Sequence, residues 1–354
     1  MIHASRIFQN QFGTASMRAV WTEPAMLQAW LDVEAAVAHV QGELKVLSKA
    51  DAREIVRNCN THVITPDAVA AIYRETGHVI VSLIKAFRAA VPRAGERFHL
   101  GMTTQDVLDT GLTLQIREAL RLLVPALFGL EDALVDLAVR HRKTVMAGRS
   151  EGQQGAPITF GHKICVFASE IGAHADRLSE CADRMMILTL FGAMGVQSSY
   201  CFVVGDKNIE TFTRRVAEHL ELAVPVVCPH QRTDRFAELG HVLALICSTL
   251  GRLGMEIRDL QLVSGLQVHA DRMLAILMIG GGLTMAESVM LGLAEKSGRK
   301  VWAHQLLRRR GRARAGALGR GPEGLRDLPR RTEDAAGPGL RPGEGRDPRH
   351  ARRR

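Results

Sequence analysis

Three stretches of the chain concentrate side chains able to bind anions or move protons. The first is Gly101-Met102-Thr103-Thr104-Gln105-Asp106-Val107-Leu108-Asp109-Thr110, two hydroxyls and an acid ahead of an apolar-periodic run. As a helix start it has Thr103 as N-cap and Asp106 in the first turn, near the positive end of the dipole. The same geometry suits a ligand, since hydroxyls and free backbone N–H groups at a helix N-terminus bind carboxylate or phosphate. The second stretch runs from Gly148 through Arg149, Ser150, Glu151, Gly152, Gln153, Gln154 and Gly155 to Pro157 and Lys163. A plain linker rarely needs that density of donors, and Pro157 is placed for the first turn of the next helix. Glu151 is either a solvated loop carboxylate or, in a closed site, a general acid or base. His162 and Lys163 read as solvated residues at the helix start. The third stretch is His230-Gln231-Arg232, where the planar fork of Arg232 suits bidentate carboxylate binding.

These stretches are connectors between long helices. Leu27, Trp30, Leu31, Val33, Val37 and Val40 recur at helical spacing, as do Leu108 to Leu127 and Phe167 to Ala182. Phe236 to Leu262 carries Leu239, Leu243, Ile246, Leu250, Leu253 and Ile257 with Arg and Glu between them. Helices longer than about 25 residues with short polar breaks predict an all-α fold, a long-helix bundle of the kind often found in oligomers. Breaks are expected at Pro92–Gly101, Gly148–Pro157, Gly192–Asn208 and Val224–Arg232.

Charge divides the chain. Its 354 residues carry a formal net charge of +9, yet positions 308–354 hold 15 Arg, no Lys and 6 acidic residues, which is the whole excess. The preceding 307 residues balance, which argues against a nucleic-acid partner for the folded body. The tail, with 9 Gly and 5 Pro and no Val, Ile or aromatic residue, is expected to be disordered. The six cysteines lie far apart without a C-x-x-C pair, so neither a disulfide framework nor a zinc site is expected, and a reduced cytoplasmic setting is. The most apolar stretch, Met273 to Ala286, is broken by three glycines and too short to span a bilayer, so no membrane association is expected.

Taken in order, the motifs resemble those of the fumarase/aspartase superfamily, within it the branch containing adenylosuccinate lyase and 3-carboxy-cis,cis-muconate cycloisomerase. Gly13-Thr14, Met17-Arg18 and Trp30 to Ala36 are similar to its N-terminal segment, and Thr76-Gly77-His78 to a His-bearing loop. Gly101 to Thr110 resembles the first conserved region, whose Thr/Ser pair contacts a substrate carboxylate. Gly148 to Gly161 resembles the second, G-R-T-H-x-Q-x-x-x-P-x-T-F-G, with Ser150-Glu151 in place of Thr-His. Muconate cycloisomerases also lack that His. His230 to Glu238 is similar to the opening of the next bundle helix, and Gly281 to His304 to the C-terminal domain. The resemblance covers residues 10–307.

It implies anti β-elimination from a succinyl group with release of fumarate, or the muconate-lactone counterpart, on a small dicarboxylate-containing substrate and without a cofactor. Thr103, Thr104, Arg149, Ser150, Gln153, His230, Gln231 and Arg232 would bind that substrate, and Glu151 or His78 would be the proton donor. The family's active sites draw on three subunits of a homotetramer. The third family region, S-S-x-M-P-x-K-x-N, supplies the serine base and occurs nowhere in this sequence. Ser264 is the nearest serine to where it would fall. The central bundle is therefore expected to be shortened and activity impaired. A competing reading is an inactive relative or the product of a damaged gene, with 308–354 as a shifted frame. The expected organisation is an N-terminal helical domain at 1–97, a central bundle at 98–263, the start of a C-terminal domain at 264–307 and the tail.

Overall fold

A computed structural model describes residues 13–230 and 232–264 of the chain. Gln231, the C-terminal segment and the tail lie outside the described residues, as does the Ser264 side chain. The helices are α1 (Ala15–Val20), α2 (Glu23–Glu43), α3 (Lys49–Asn58), α4 (Pro66–Thr76), α5 (Val79–Ala90), α6 (Pro92–Gly95) and α7 (Thr104–Arg140). Two strands follow, β1 (Val145–Ser150) and β2 (Gln153–Thr159), then α8 (Phe160–Met185), α9 (Ser198–Val204), α10 (Ile209–Leu220) and α11 (Asp234–Ser264). The helices start where hydroxyl side chains can cap them. Thr14, Thr22, Ser48, Thr65 and Thr159 each accept a hydrogen bond from a backbone N–H in the first turn.

The predicted all-α bundle is present. Leu120, Leu123 and Leu127 of α7 pack with Ile171, Ala175 and Leu178 of α8, with Ile246, Leu250 and Leu253 of α11, and with Val33 and Val37 of α2. The other side of α2 faces a second cluster. There Leu27, Trp30 and Leu31 meet Ile55, Ile80, Leu83 and Phe87, with Phe98 stacked on Phe87 at 3.9 Å between ring centroids. Among the described residues α11 is the one helix long and apolar enough, by length and composition alone, to cross a membrane. Its apolar side is spent on the core. Between α8 and α11 a polar chain runs inward from the surface, with exposed Arg177 bonding the buried His174 at Nδ1, His174 Nε2 bonding the buried Thr249 at 2.8 Å, and Thr249 donating to Glu170.

The second connector is not a loop. β1 and β2 form an antiparallel hairpin with Val145 opposite Thr159 and Ser150 opposite Gln153, and an irregularity between Ala147 and Arg149. Glu151 (φ 51°) and Gly152 (φ 79°) make the two-residue turn. Both are left-handed, the type I′ geometry whose twist matches that of paired strands. Pro157 thus falls within β2, opposite Ala147, rather than in the first turn of α8, which Thr159 caps. Lys163, expected in solvent, instead pairs with Glu256 of α11 at 2.5 Å.

Two contacts from α2 hold the segment that leads into α7. Gln41 Nε2 donates to the Leu100 carbonyl at 2.9 Å, and the buried Glu34 carboxylate meets His99 Nδ1 at 2.6 Å. Burial acts against a charged His99, but the Glu34 carboxylate outweighs it and lifts the imidazole above its ordinary 6.5. A raised folded value means that this pair stabilises fully below about pH 6.5 and loses its contribution as pH rises through the folded value. In urea unfolding across that range, the stability advantage of wild type over His99→Gln should shrink steadily with rising pH. A constant difference would rule out this assignment.

Candidate active site

Asp106 occupies the third position of α7 with its carboxylate fully buried. An ionised carboxylate only accepts hydrogen bonds, so a buried one must gather donors or destabilise the fold. The Thr103 N–H, just ahead of the helix, reaches Oδ2 at 3.0 Å. The Phe191 N–H reaches Oδ1 at 2.8 Å, and the Gly192 N–H lies 3.2 Å from both oxygens. The Tyr200 hydroxyl donates to Oδ2 at 2.7 Å and His230 Nε2 lies 3.0 Å from Oδ1. Burial, then the adjacent Asp106 charge, pushes the Tyr200 phenol well above its usual value. His230 must carry its proton on Nε2 to serve as a donor here, which leaves Nδ1 as the ring's acceptor.

A second imidazole contacts the first residue of α7. His78 caps α5, its Nδ1 accepting the Val81 N–H at 3.3 Å. In the neutral ring the proton therefore sits on Nε2, which faces the Thr104 hydroxyl at 3.4 Å. The N-terminal turn of α7 thus carries two imidazole contacts, His78 at Thr104 and His230 at Asp106. One turn on, Asp109 is bonded by Gln105. Burial pushes the Asp109 carboxyl above its ordinary 3.8, while Arg235 and His230 pull it back.

The remaining predicted residues lie elsewhere. Arg149, Ser150, Glu151 and Gln153 are on the hairpin beyond the opposite end of α7. A helix of 37 residues rising about 1.5 Å per residue spans roughly 55 Å, so one chain holds these two groups apart. Ser150, Glu151 and Gln153 are exposed and Arg149 is half-buried. Arg232 is exposed and paired with Asp234 at 2.9 Å.

Sequence reasoning placed Asp106 as a first-turn acid and missed its role as the junction of the site. The capping pattern explained it too well to invite another question. Tyr200, 94 positions away, carries no sequence signal linking it to Asp106. Asp109 and Arg235 stood inside recognised motifs, but nothing in the sequence showed their burial.

Long helices packed as a bundle, with histidines and hydroxyls gathered at one end of the longest, define a lyase fold of the fumarase/aspartase type. A family model described as "Lyase" matches residues 8–268, and the chain belongs to that family. Adenylosuccinate lyase of Methanocaldococcus jannaschii is 37% identical over 254 residues, 71% of this chain and 54% of its own length. The N-acetyl-S-(2-succino)cysteine lyase of Enterococcus italicus is 34% identical over 72% of this chain and 55% of its own. The 3-carboxy-cis,cis-muconate cycloisomerase of Pseudomonas aeruginosa is likewise 34% identical, over 72% and 56%. The chain thus spans about half the length of the curated relatives it matches. A crystal structure of a fumarate lyase from Mesorhizobium sp. BNC1 superposes with a TM-score of 0.71 at 25% identity, covering 89% of this chain and 93% of that one.

Removing the junction should be costly. Asp106→Ala leaves His230, Tyr200 and three backbone N–H groups without their acceptor, and should lower the unfolding free energy by about 3–5 kcal/mol. Tyr200→Phe removes one donor of several and should cost about 1–2 kcal/mol. Urea denaturation of both variants measures the two losses. Equal losses would mean that Asp106 is not the centre of the network.

Proposed function

We propose that the chain carries the carboxylate-binding and proton-transfer groups of an anti β-elimination on a succinyl-type substrate, releasing fumarate. The observation that supports this most directly is the pair of imidazoles with fixed tautomers around the α7 N-terminus. In the reaction a base removes a proton from the carbon next to a carboxylate, and that bonding pair becomes the new C=C bond. The bond to the leaving nitrogen breaks, and an acid delivers a proton to the departing atom. Thr103 and Thr104, with the α7 N-terminus, orient a substrate carboxylate. His78 presents Nε2–H toward that position as a donor. His230, held by Asp106, presents Nδ1 as an acceptor, the orientation by which a buried carboxylate prepares an imidazole for proton transfer.

Arg149, Ser150, Glu151, Gln153, Gln231 and Arg232 complete the proposed set. The hairpin residues join it only from a second copy of the chain, because α7 separates them from His78 within one copy. Association of copies is supported by the apolar side chains on the surface between α9 and α11. Phe202 is 93% exposed and Val226 fully so. The proposed base of the family, the serine of S-S-x-M-P-x-K-x-N, has no counterpart in this sequence, so turnover is expected to be slow. Loss of one member of an acid–base pair costs about 10²–10⁴-fold in rate.

A cycloisomerase acting on a carboxymuconate is the second reading, favoured by Glu151 standing where the lyase motif has His. The purified full chain should be offered adenylosuccinate, a succinyl thioether and 3-carboxymuconate, with product followed by absorbance. Slow fumarate release from a succinyl substrate, falling at least about tenfold in His78→Gln and in His230→Gln, is the expected result. Turnover of carboxymuconate alone would replace it with the second reading, and no turnover of any of the three would defeat both.

A further inference from the structure

Arg235, in the first turn of α11, is 5% exposed, and none of its Nε, Nη1 or Nη2 atoms has a hydrogen-bond partner among the described residues. A guanidinium carries five N–H donors and stays charged in proteins, so a buried one without a partner is exceptional. The carboxylates around it are already engaged. Asp234 is taken by Arg232 at 2.9 Å, and Glu238 by Arg184 through a fork, Nε to Oε2 at 2.9 Å and Nη2 to Oε1. Asp109, which feels the charge of Arg235, is bonded by Gln105, and burial favours its neutral form. Asp106 is filled by its five donors. The Phe236 ring, 4.6 Å from the guanidinium carbon, offers a cation–π contact but accepts no hydrogen-bond fork.

Arg235 is also well placed. Arg235 follows His230 by five residues, in the first turn of α11, and the charges of both reach Asp109, one turn along α7 from Asp106. A planar fork whose donors have no partner among the described residues is suited to a planar pair of oxygens. We propose that Arg235 is an anion-binding residue of the site described above, holding a carboxylate or phosphate oxygen pair of the bound substrate. Its location as a substrate contact rests on the lyase reading, whereas its capacity to bind an oxyanion does not. Arg232, three residues earlier and exposed, has its fork engaged by Asp234, so the buried Arg235 is the arginine of this motif left to act as the clamp.

Thermal unfolding of the full chain, with sodium fumarate or inorganic phosphate compared against sodium chloride at equal ionic strength, tests this. Wild type should gain about 3–6 °C in Tm at ten times the Kd of the anion that fits. Stabilisation by fumarate alone identifies a carboxylate site, by phosphate alone a phosphate site, and by both a general oxyanion site. Arg235→Met should abolish the shift while leaving the ligand-free Tm unchanged or higher, since it removes an unpaired buried charge. A purely structural arginine would give the opposite pattern, a lower ligand-free Tm with the anion shift retained, and that result overturns the proposal. So does a wild type that neither anion stabilises beyond chloride. If Arg235→Met does not fold, Arg235→Lys decides, because it keeps the charge and loses the fork. A Kd at least about tenfold weaker supports the clamp, and an unchanged Kd sinks it. Anion stabilisation that depends on Arg235 without turnover of any substrate would defeat the lyase reading and leave the binding site standing.

Discussion

A single buried carboxylate organises one end of this molecule. Asp106 has no exposure, and leaving it unpaired would take a large share of a typical fold's stability. Its five donors come from four places in the chain: residue 103, residues 191 and 192, Tyr200 and His230. Satisfying one side chain therefore fixes the entry to α7, the connector after α8, the start of α9 and the approach to α11. Neighbouring contacts reinforce the same junction. Thr110 donates to the Thr189 carbonyl at 3.0 Å and accepts the Thr189 N–H at 3.2 Å. Ser199 donates to the Gly101 carbonyl at 2.8 Å. The imidazole of His230 is oriented as a by-product of stabilising the fold.

The helices divide the work. α7, α8 and α11 with α2 make an apolar bundle that tolerates the buried His174 and Thr249, because each has a partner of matching donor or acceptor character. The ends of the helices carry the polar groups of the proposed site. Caps that would serve only local stability elsewhere stand among them. His78 shows the overlap most clearly: the nitrogen that caps α5 is thereby unavailable, and the other one faces Thr104.

Much of this was legible in the sequence. The apolar period of Leu108 to Leu127 and of Phe236 to Leu262 marks α7 and α11 within a few residues, because a helix buried on one face must repeat every three to four positions. Thr103 and Asp106 read correctly as a cap and a first-turn acid. The hairpin did not read as strands, since Gln153, Gln154, Gly155 and Ala156 are exposed and lack the alternation that burial imposes on a strand. The Glu151-Gly152 pair was the available signal, an acid before glycine that suits a two-residue turn. Where the chain returns on itself, sequence reasoning ends. Nothing local tells that Tyr200 and His230 share an acceptor, or that Arg235 is buried while Arg232 is exposed, because tertiary packing alone decides which of two nearby arginines on the α11 approach turns inward.

The spacing of the groups that meet at Asp106 also has a kinetic side. The hairpin closes over two residues and α7 grows from neighbour to neighbour, so both can form early. The contact between Asp106 and His230 closes a loop of 124 residues, whose entropy is repaid only after the helices between them have packed. The order of assembly is thus scaffold first and chemistry last. Run backwards, the same order makes this end of the bundle the first to open. A chain can keep most of its helices and lose the junction at Asp106, so helical content and the arrangement of the proposed site need not disappear together.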